Sequence, residues 1–537
     1  MSASSSSSSS TLAREQAIFD ELDLPLKAGS ASEVPGIFDG DWRRGEADHT
    51  LKSYDPSTGR LMATVQGASA AQVSSALGAA QAAFRVFRKL PAPARGEVLK
   101  DIADAFTLQK DALGALVSLE MGKILTEGRG EVQEVIDLAA VAVGLSRTMA
   151  GSYLPSERAG HVLMEKPNPL GIVGVVTAFN FPVAVHGWNF CMSFICGNAT
   201  VWKPAPSTPL TAIATTKLIA SVLKKHNLPT ALATLVAGDV ETSKALCEDE
   251  RVPLVSFTGS ETIGRIVAQT VAKRLGKCIL ELGGNNAVTV LSDANLDLAI
   301  PGVVFAAVGT SGQRCTSSRR VYVHRDIADR FLQRLVGAYE QIASKGLIGS
   351  AVHDPKALAG PLHSPTAVAK HKETLAAIKS RGGRILFGES TAVQDLPSHL
   401  TGGNWVQPAI VLHSNSSDEA FAEEVFCPIL NVYIISSLDE AIELNNDVRQ
   451  GLSSALFTND HVSIGKWLSA EGSDTGIVNV NAGTSGAEVG AGFGGNKATG
   501  WGRECGGTAW HAYCSWSTSV VNYSRELPLA QGVKFHL

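Results

Sequence analysis

The cysteine at position 315 has the surroundings that best suit a nucleophile in this sequence. It follows a glycine-containing turn at residues 309–312, stands beside Arg314 and lies close to Arg319 and Arg320. Positive charge lowers the pKa of a thiol, and the thiolate is the reactive form. The pattern therefore predicts a nucleophile with a lowered pKa. Because most cysteines are inert core residues, a structural role for Cys315 stays open on this pattern alone.

Two other groups capable of chemistry stand where apolar, strand-like runs end. Glu281 lies within the run 278–282, where burial would raise its pKa towards values useful to a general base. Asn180 follows the run 171–177, and its amide could donate a hydrogen bond to a developing oxyanion. The alternatives also stay open: the glutamate could cap backbone amides, and the asparagine could serve turn geometry.

Features that suit a nucleotide are weaker. Lys203 follows the run 199–202 as a lone cation, either solvated or available to a ribose hydroxyl or a phosphate. Gly259 and Ser260 form a turn that opens a predicted helix, whose N-terminal amides favour an anion. The G-x-G-x-x-G fingerprint of dinucleotide-binding proteins follows none of the predicted strands.

Alternating strands and helices are predicted to position these groups. Residues 68–149 show helical spacing of apolar positions. Predicted strands of a first series are 171–177, 199–202, 233–236, 254–257 and 278–282, with helices at 209–226 and 260–275. Predicted strands of a second series are 287–291, 321–324, 431–435, 455–458 and 476–480. This rhythm indicates βαβ units in two α/β domains with parallel sheets, where ligands lie beyond the carboxyl ends of the strands. The insertions 347–361 and 388–403 are predicted surface loops of the second domain.

Composition excludes several classes of protein. The 537 residues carry 46 Lys+Arg against 51 Asp+Glu, a net charge of −5, which argues against a nucleic-acid partner. The eight cysteines form no C-x-x-C pair and no Cys/His knuckle, so we expect reduced thiols, no metal site and a cytoplasmic location.

Neither a membrane span nor a targeting signal is expected. The uncharged run 167–202 is long enough to cross a bilayer, but Pro and Asn residues interrupt it. We therefore predict a buried strand, helix and strand in this run, and no membrane association. Residues 1–11 are almost pure serine and are predicted to form a solvated tail, without the apolar region of a signal peptide.

Taken together, several segments resemble motifs of the aldehyde dehydrogenase superfamily in their family order. They are Phe179-Asn180-Phe181-Pro182, Trp202-Lys203-Pro204, Phe257-Thr258-Gly259-Ser260, Glu281-Leu282-Gly283-Gly284, Gly312-Gln313-Arg314-Cys315, Glu423-Glu424-Val425-Phe426-Cys427-Pro428 and Gly502-Arg503-Glu504. The resemblance covers roughly residues 35–535. A closer resemblance is to the antiquitin branch, the α-aminoadipic semialdehyde dehydrogenases. It rests on residues 281–287, 306–310, 481–490 and 527–532.

The resemblance implies an α/β fold with a Rossmann-like NAD-binding domain, an α/β catalytic domain and a β-strand oligomerisation flap. The implied boundaries are 1–30 for a disordered tail and lead-in, 31–150 and 169–281 for the NAD-binding domain, 282–504 for the catalytic domain, and 151–168 and 505–537 for the oligomerisation segment. The strand-like run 517–523 would form the flap, so a homo-oligomer, dimer or tetramer, is expected.

The resemblance also implies a reaction. Cys315 would attack an aldehyde, while Asn180 and the Cys315 amide would hold the oxyanion of the thiohemiacetal. Hydride would pass to NAD, leaving a thioester that Glu281 would help water to hydrolyse. The implied cofactor-binding residues are Thr177, Ala178, Phe179, Lys203, Ala205, Pro206, Gly238, Gly259, Ser260, Leu282, Gly283, Glu424 and Phe426.

For the antiquitin branch, the resemblance implies that an amino acid semialdehyde is recognised at both charged ends. Glu134 would meet the ammonium and Arg314 the carboxylate. Further implied substrate contacts are Phe181, Thr316, Gly486 and Ala487. Without the resemblance, Glu134 would be interpreted as a solvated charge on a helix. The alternatives are a broad-specificity aliphatic or betaine aldehyde dehydrogenase, a non-catalytic descendant, and a thiol hydrolase with a His base.

Two positions depart from the family pattern. Pro206 stands where many members carry an acid that binds the adenosine ribose, which leaves the choice between NAD and NADP open. Cys427 replaces the usual glycine before Pro428, so local packing beside Phe426 is expected to differ.

Overall fold

The structure, a computed structural model, describes residues 3–48, 50–350, 352, 354, 356–394 and 396–533, and two seven-stranded sheets form its framework. Its α-helices are α1 Ala3–Glu21, α2 Ala70–Phe87, α3 Ala92–Leu108, α4 Lys110–Met121, α5 Leu125–Thr148, α6 Ala184–Ile195, α7 Pro209–Lys225, α8 Val240–Glu248, α9 Glu261–Lys273, α10 Leu296–Val308, α11 Ala328–Ser344, α12 Pro365–Ser380, α13 Leu438–Asn446 and α14 His461–Leu468.

The strands are β1 Ser32–Val34, β2 Ile37–Phe38, β3 Trp42–Arg43, β4 Thr50–Asp55, β5 Arg60–Gln66, β6 Ser152–Leu154, β7 His161–Pro169, β8 Ile172–Val176, β9 Ala199–Lys203, β10 Ala233–Val236, β11 Leu254–Thr258, β12 Lys277–Glu281, β13 Asn286–Val290, β14 Ser318–His324, β15 Arg384–Phe387, β16 Ala409–Leu412, β17 Ile429–Ile435, β18 Gln450–Gly451, β19 Ser453–Phe457, β20 Ile477–Val480, β21 Gly492–Phe493, β22 Asn496–Lys497, β23 Glu504–Cys505 and β24 Cys514–Asn522.

The first large sheet has the order β12-β11-β8-β9-β10-β2-β3. It is parallel from β12 to β10, and β2 and β3 add to it in antiparallel fashion. In this register Lys203 pairs with Val176 and Glu281 pairs with Thr258, so the polar strand ends meet at one edge. The fold therefore gathers these side chains because parallel strands share a carboxyl edge.

The second large sheet has the order β15-β16-β17-β14-β13-β19-β20 and is parallel except for the β15–β16 pair. Its strand β14 begins three residues after Cys315, which fixes the chain downstream of that residue. A third, antiparallel sheet of order β24-β7-β6 is formed by the segments predicted to mediate oligomerisation.

Local sequence explains where the helices next to the site begin and end. Ser260 caps α9 by accepting a hydrogen bond from the Ile263 amide. Before α5, helix α4 ends at Gly122, whose φ of 99° suits glycine. Every residue of α6 is buried, as an uncharged helix between two strands requires.

The predicted α/β class, the helical segment 68–149 and both strand series are confirmed, with element ends shifted by a few residues. The uncharged run 167–202 forms the end of β7, then β8, α6 and β9, as predicted. Among the helices of the described residues, none combines the length and apolar character that crossing a membrane requires.

Two expectations are corrected. Residues 3–11, predicted to belong to a disordered tail, are helical: they begin helix α1, whose later residues Ile18 and Phe19 are buried. The loop 347–361 is not wholly at the surface: Ile348 is buried, and the Gly360 carbonyl accepts a hydrogen bond from Ser311 Oγ at 2.6 Å. That loop therefore packs against the turn that carries Cys315.

Candidate active site

One cavity of about 730 Å³ opens at the carboxyl edge of the first sheet and reaches Cys315. Most of the predicted site residues line this cavity. They are Glu134, Ala178, Phe179, Asn180, Phe181, Gly259, Ser260, Glu281, Leu282, Gly283, Arg314, Cys315, Thr316, Glu424, Phe426 and Ala487. All three predicted catalytic residues thus share one cavity with most of the predicted cofactor and substrate contacts.

Other predicted contacts lie outside the described lining of this cavity: Thr177, Lys203, Ala205, Pro206, Gly238 and Gly486. The Thr177 hydroxyl accepts a hydrogen bond from the Trp202 indole at 2.9 Å, which is a packing role. At Gly238 a Cβ would lie 1.9 Å from Thr242 Oγ1, so close packing alone requires glycine there. Lys203 ends β9 in a buried position, and burial lowers its pKa to about 8.

The turn before Cys315 has an unusual backbone. Thr310 and Ser311 have φ of 52° and 53°, in the left-handed region that disfavours side chains, and Gly312 follows with φ of 72°. A Cβ at Gly312 would lie 2.6 Å from the Cys427 backbone, so only glycine fits. Such strain persists only where the surrounding structure imposes it, and it is common at active sites.

The Cys315 thiol does not have the lowered pKa that the neighbouring arginines suggested. Burial first, and then the charges of Glu281 and Glu424, raise the pKa of Cys315 to about 12, and Arg319 opposes this only in part. Arg314 forms an ion pair with Glu127 instead. The prediction of a lowered pKa, made from the arginines near Cys315 in sequence, is therefore wrong. It left out desolvation and the acids that folding brings close to the thiol.

Two asparagine side chains bond to the backbone around Cys315. Asn180 Nδ2 donates to the Gln313 carbonyl at 2.8 Å, which fixes the amide beside the turn that precedes Cys315 and leaves its second hydrogen available. The Asn286 side chain donates to the Cys315 carbonyl at 2.7 Å and to the Ser317 carbonyl at 2.8 Å. These contacts hold the backbone of Cys315 in place.

Glu281 is buried with both carboxylate oxygens lacking a hydrogen-bond partner among the described residues. Burial, with the charge of Glu504 close by, raises the pKa of Glu281 well above its usual value, and Arg503 opposes this in part. The capping role that the sequence left open is thus not observed. An unpartnered carboxylate in the cavity of a thiol suits a general base.

Glu424 lies where a sugar could be held. It accepts hydrogen bonds from the Gly284 amide at 3.1 Å and from Arg319 at 3.0 Å. A Cβ at Gly283 would lie 1.8 Å from Glu424 Oε2, so glycine is required for the carboxylate to reach this position. Nearby, the Thr258 hydroxyl is buried without a partner among the described residues, at the strand end that leads into α9.

Three acids on one face of α5 meet two bases at the other end of the cavity. Lys123 and Glu131 form a buried ion pair with a 2.5 Å separation, and Arg314 pairs with Glu127. Glu134 has no such partner. Burial and the charge of Glu131 raise the pKa of Glu134 to about 7. The charges of Lys123 and Arg314 and the Trp188 indole lower it, but they offset the rise only in part.

These observations place the Cys315 thiol, the Asn180 amide and the carboxylates of Glu281 and Glu424 in one cavity. The pattern of the "Aldehyde dehydrogenase family" matches residues 42–519. The chain belongs to the aldehyde dehydrogenase family. The family resemblance seen in the sequence is therefore confirmed.

Two relatives and one solved structure illustrate the match. Aldehyde dehydrogenase family 7 member A1 of Malus domestica is 49% identical over 509 residues, covering 94% of this chain and 97% of the relative. The alpha-aminoadipic semialdehyde dehydrogenase of Bos taurus is 47% identical over 507 residues, covering 94% and 92%. The crystal structure of a betaine aldehyde dehydrogenase from Staphylococcus aureus in complex with NAD+ is similar with a TM-score of 0.87 and 26% identity, covering 95% of this chain and 97% of that one.

In this aldehyde dehydrogenase, sequence reasoning missed several cavity residues. Trp188, Phe305 and Phe493 line the cavity, and Glu127 forms an ion pair with Arg314. The spacing of Glu127, Glu131 and Glu134 at i, i+4 and i+7 could have indicated a shared helix face. Nothing in the sequence pointed to the three aromatic residues, which come from distant segments.

Cys427, which replaces the usual glycine before Pro428, lies in an apolar environment. The Cys427 side chain is buried against Leu362 and Val406, so the departure from glycine is absorbed by apolar packing.

No histidine is among the described residues that line the cavity with Cys315. A hydrolase with a Cys–His pair therefore has no support from the geometry.

Proposed function

We propose that this aldehyde dehydrogenase oxidises α-aminoadipic semialdehyde to α-aminoadipate with NAD, as a step of lysine catabolism. The observation that carries the choice of substrate is Glu134, a partly buried acid in the cavity of Cys315 that forms no ion pair with the described residues. A partly buried carboxylate of this kind suits a ligand ammonium. The name of the Bos taurus relative, alpha-aminoadipic semialdehyde dehydrogenase, supports the same choice.

Carbon–sulfur bond formation starts the proposed reaction. The Cys315 sulfur attacks the aldehyde carbon, and the carbonyl oxygen becomes an oxyanion held by the Asn180 amide and the Cys315 backbone amide. A thiol with a pKa of about 12 needs a base at neutral pH. Glu281, whose two carboxylate oxygens have no partner among the described residues, takes that proton and passes it to solvent before it acts again.

The residues present fit NAD. Glu424 lines the cavity with its carboxylate close against Gly283, and it suits a sugar whose hydroxyl groups donate hydrogen bonds to the carboxylate. The partnerless Thr258 hydroxyl and the N-terminus of α9 suit a phosphate beside Gly259 and Ser260. Lys203 ends β9 near the same edge. When bound, NAD accepts a hydride from the thiohemiacetal carbon and so supplies the oxidation.

Hydrolysis of the thioester is assigned to Glu281. Its carboxylate takes a proton from water, the water oxygen bonds to the acyl carbon, and the carbon–sulfur bond breaks to release the acid and return Cys315. A raised pKa makes Glu281 a stronger base than an exposed glutamate. The Asn180 amide stabilises the second oxyanion as it did the first.

At the far end of the substrate, Glu134 is proposed to bind the ammonium. Arg314 and the backbone around Gly486 and Ala487 are proposed to bind the carboxylate, beside Thr316 and Phe181. The Arg314 guanidinium is already paired with Glu127 and lies 4.5 Å from the Phe305 ring, so it is held rather than free.

A betaine aldehyde is the second candidate substrate. Trp188 and Phe493 pack with ring centroids 5.0 Å apart in the cavity lining, and aromatic faces attract a quaternary ammonium. Turnover of betaine aldehyde in preference to the amino acid semialdehyde would favour this candidate.

We further propose the domain division given by the family resemblance, a homo-oligomer assembled through β24, and a cytoplasmic location. Exposed Val520 and Val521 on β24 support the assembly. All eight cysteines are free in the structure, as a reducing compartment requires.

Replacement of Cys315 tests the mechanism. Cys315→Ala should abolish NADH formation from the semialdehyde. The assay follows the absorbance of the reduced cofactor with a panel of aldehydes, each with NAD and with NADP. The matched control is Cys278→Ala, since Cys278 is partly exposed but lies outside the described cavity lining. Turnover that persists in Cys315→Ala would refute the mechanism. Equal rates with NAD and NADP would refute the proposed preference for NAD.

A further inference from the structure

Arg319 has no role in the reaction as proposed, yet all of its hydrogen-bonding capacity is used around the active site. A guanidinium carries five N–H donors in a rigid fork. Nε donates to the Gly284 carbonyl at 3.1 Å. Nη1 donates to the Gly312 carbonyl at 2.9 Å and the Val425 carbonyl at 3.0 Å. Nη2 donates to the Arg314 carbonyl at 2.9 Å and to Glu424 Oε1 at 3.0 Å.

These five acceptors belong to three separate segments. Gly312 and Arg314 form the nucleophile turn, which ends at Cys315. Gly284 follows the strand that carries Glu281, and Glu424 with Val425 forms the segment proposed to hold the ribose. The Arg319 side chain is only 3% exposed, so few of these contacts compete with solvent.

We propose that Arg319 is a positioning residue that joins the cofactor-binding carboxylate Glu424 to the nucleophile turn, so that cofactor binding and the reactivity of Cys315 are linked. The inference rests on the proposed function, because it takes Glu424 as a contact to NAD.

The shape of the guanidinium is what makes the link. Three segments of backbone reach one planar group, and a lysine ammonium has three donors and no fork. A lysine at position 319 would keep the positive charge but leave buried carbonyls unpaired. Geometry and charge can therefore be separated by one substitution.

Charge supplies the second half of the link. Among the groups that act on the Cys315 thiol, Arg319 lowers its pKa while Glu281 and Glu424 raise it. A ligand that donates hydrogen bonds to Glu424 disperses the charge of that carboxylate. The Arg319 charge is then less compensated near the sulfur, which favours the thiolate.

Arg319→Lys is the test, with Arg320→Lys as its matched control. Arg320 is also buried in β14, but it donates to the carbonyls of Asn285, Leu444 and Asn445 and to the Tyr322 hydroxyl, apart from Glu424 and the nucleophile turn. NAD affinity is measured by calorimetry. Alkylation of Cys315 by iodoacetamide is followed against pH by peptide mass spectrometry, with and without NAD.

We expect Arg319→Lys to weaken NAD binding by about tenfold or more, as loss of a hydrogen bond to a charged group implies. The alkylation profile of Cys315 should shift, and NAD should no longer change it as it does in the unmodified enzyme. Arg320→Lys should leave both measurements unchanged even if it lowers the melting temperature. Unchanged NAD affinity and alkylation in Arg319→Lys, or the same changes in both variants, would overturn the proposal.

A second variant covers the case in which Arg319→Lys does not fold. Glu424→Gln removes one charge and leaves the carbonyl contacts of Arg319 in place. It should shift alkylation of Cys315 to lower pH without NAD, and NAD should add little further shift. An unchanged profile would overturn the link. If the unmodified enzyme fails to bind NAD at all, the proposed function itself is refuted, which is distinct from failure of the link alone.

Discussion

Glu134→Gln should separate recognition of an amino acid semialdehyde from the chemistry at Cys315. Glu134 lies in the cavity without a basic partner, since Lys123 is paired with Glu131 and Arg314 with Glu127. A substrate ammonium would complete its pairing. Glutamine has nearly the same shape, so the substitution removes charge with little change in packing.

The expected loss follows from the burial of Glu134. Truncating one partner of a buried charge pair costs about 2–5 kcal/mol. The middle of that range, about 3.5 kcal/mol, is about 400-fold in kcat/KM. Hexanal has no ammonium, and its kcat/KM should change by less than about threefold, an effect under 1 kcal/mol.

pH gives an independent signature of the same residue. Burial and Glu131 raise the pKa of Glu134 to about 7, so below that pH the carboxyl is protonated and cannot pair with an ammonium. The ratio of kcat/KM for the semialdehyde to kcat/KM for hexanal should therefore fall by about tenfold per pH unit below about pH 7. Taking the ratio removes the titration of Cys315 and Glu281, which both substrates share.

The assay is NADH formation with each aldehyde between about pH 5.5 and 8.5. Asp137→Asn is the control, because Asp137 is an exposed acid on the same helix, α5. In Glu134→Gln the ratio should be low and independent of pH. A ratio that is flat in the unmodified enzyme, or an equal loss on both substrates, would refute the role of Glu134.

Further variants test the rest of the site. Asn180→Ala removes an oxyanion donor and should lower kcat by about 10²–10³, in single-turnover measurements, with substrate binding nearly unchanged. Gly283→Ala places a Cβ 1.8 Å from Glu424 Oε2 and should weaken NAD binding about tenfold or more in calorimetry, while the melting temperature changes little. Glu131→Ala leaves Lys123, whose side chain has 0% exposure, without its partner and should lower the free energy of unfolding by about 3–5 kcal/mol in denaturant titrations. An unchanged kcat, an unchanged NAD affinity, or a loss below about 1 kcal/mol would contradict these three expectations in turn.

The parts of the fold that sequence predicted well are those set by local periodicity. Strand β10 was predicted with both of its ends, and the other strands of both series to within a few residues. The placement of Asn180 and Glu281 in one cavity followed from a rule of parallel sheets, that ligands lie beyond the carboxyl ends. Such a rule needs only the order of strands and helices.

What sequence could not give is the sum of long-range effects at one atom. The sign of the Cys315 pKa shift depends on burial and on Glu424, which is more than a hundred positions away along the chain. The pairing of Arg314 with Glu127 likewise joins two distant segments. The helical state of residues 3–11 was missed for a different reason: the serine run carries no helical pattern of its own, but it leads into a helix whose later residues Ile18 and Phe19 are buried.

The charge pattern of the cavity bears on how the two ends of an amino acid semialdehyde are distinguished. Of the three acids of α5 that line the cavity, Glu127 and Glu131 are neutralised by ion pairs, so among these three only Glu134 presents an uncompensated carboxyl to the ligand. Arg314 is the only Lys or Arg among the described residues that line the cavity, and its guanidinium is already paired with Glu127, so a substrate carboxylate would have to share it. A shared arginine attracts a carboxylate less than a free one does, since its charge is already partly compensated. The ammonium should therefore contribute more to selectivity than the carboxylate, and loss of the substrate's amino group should cost more than loss of its acid group.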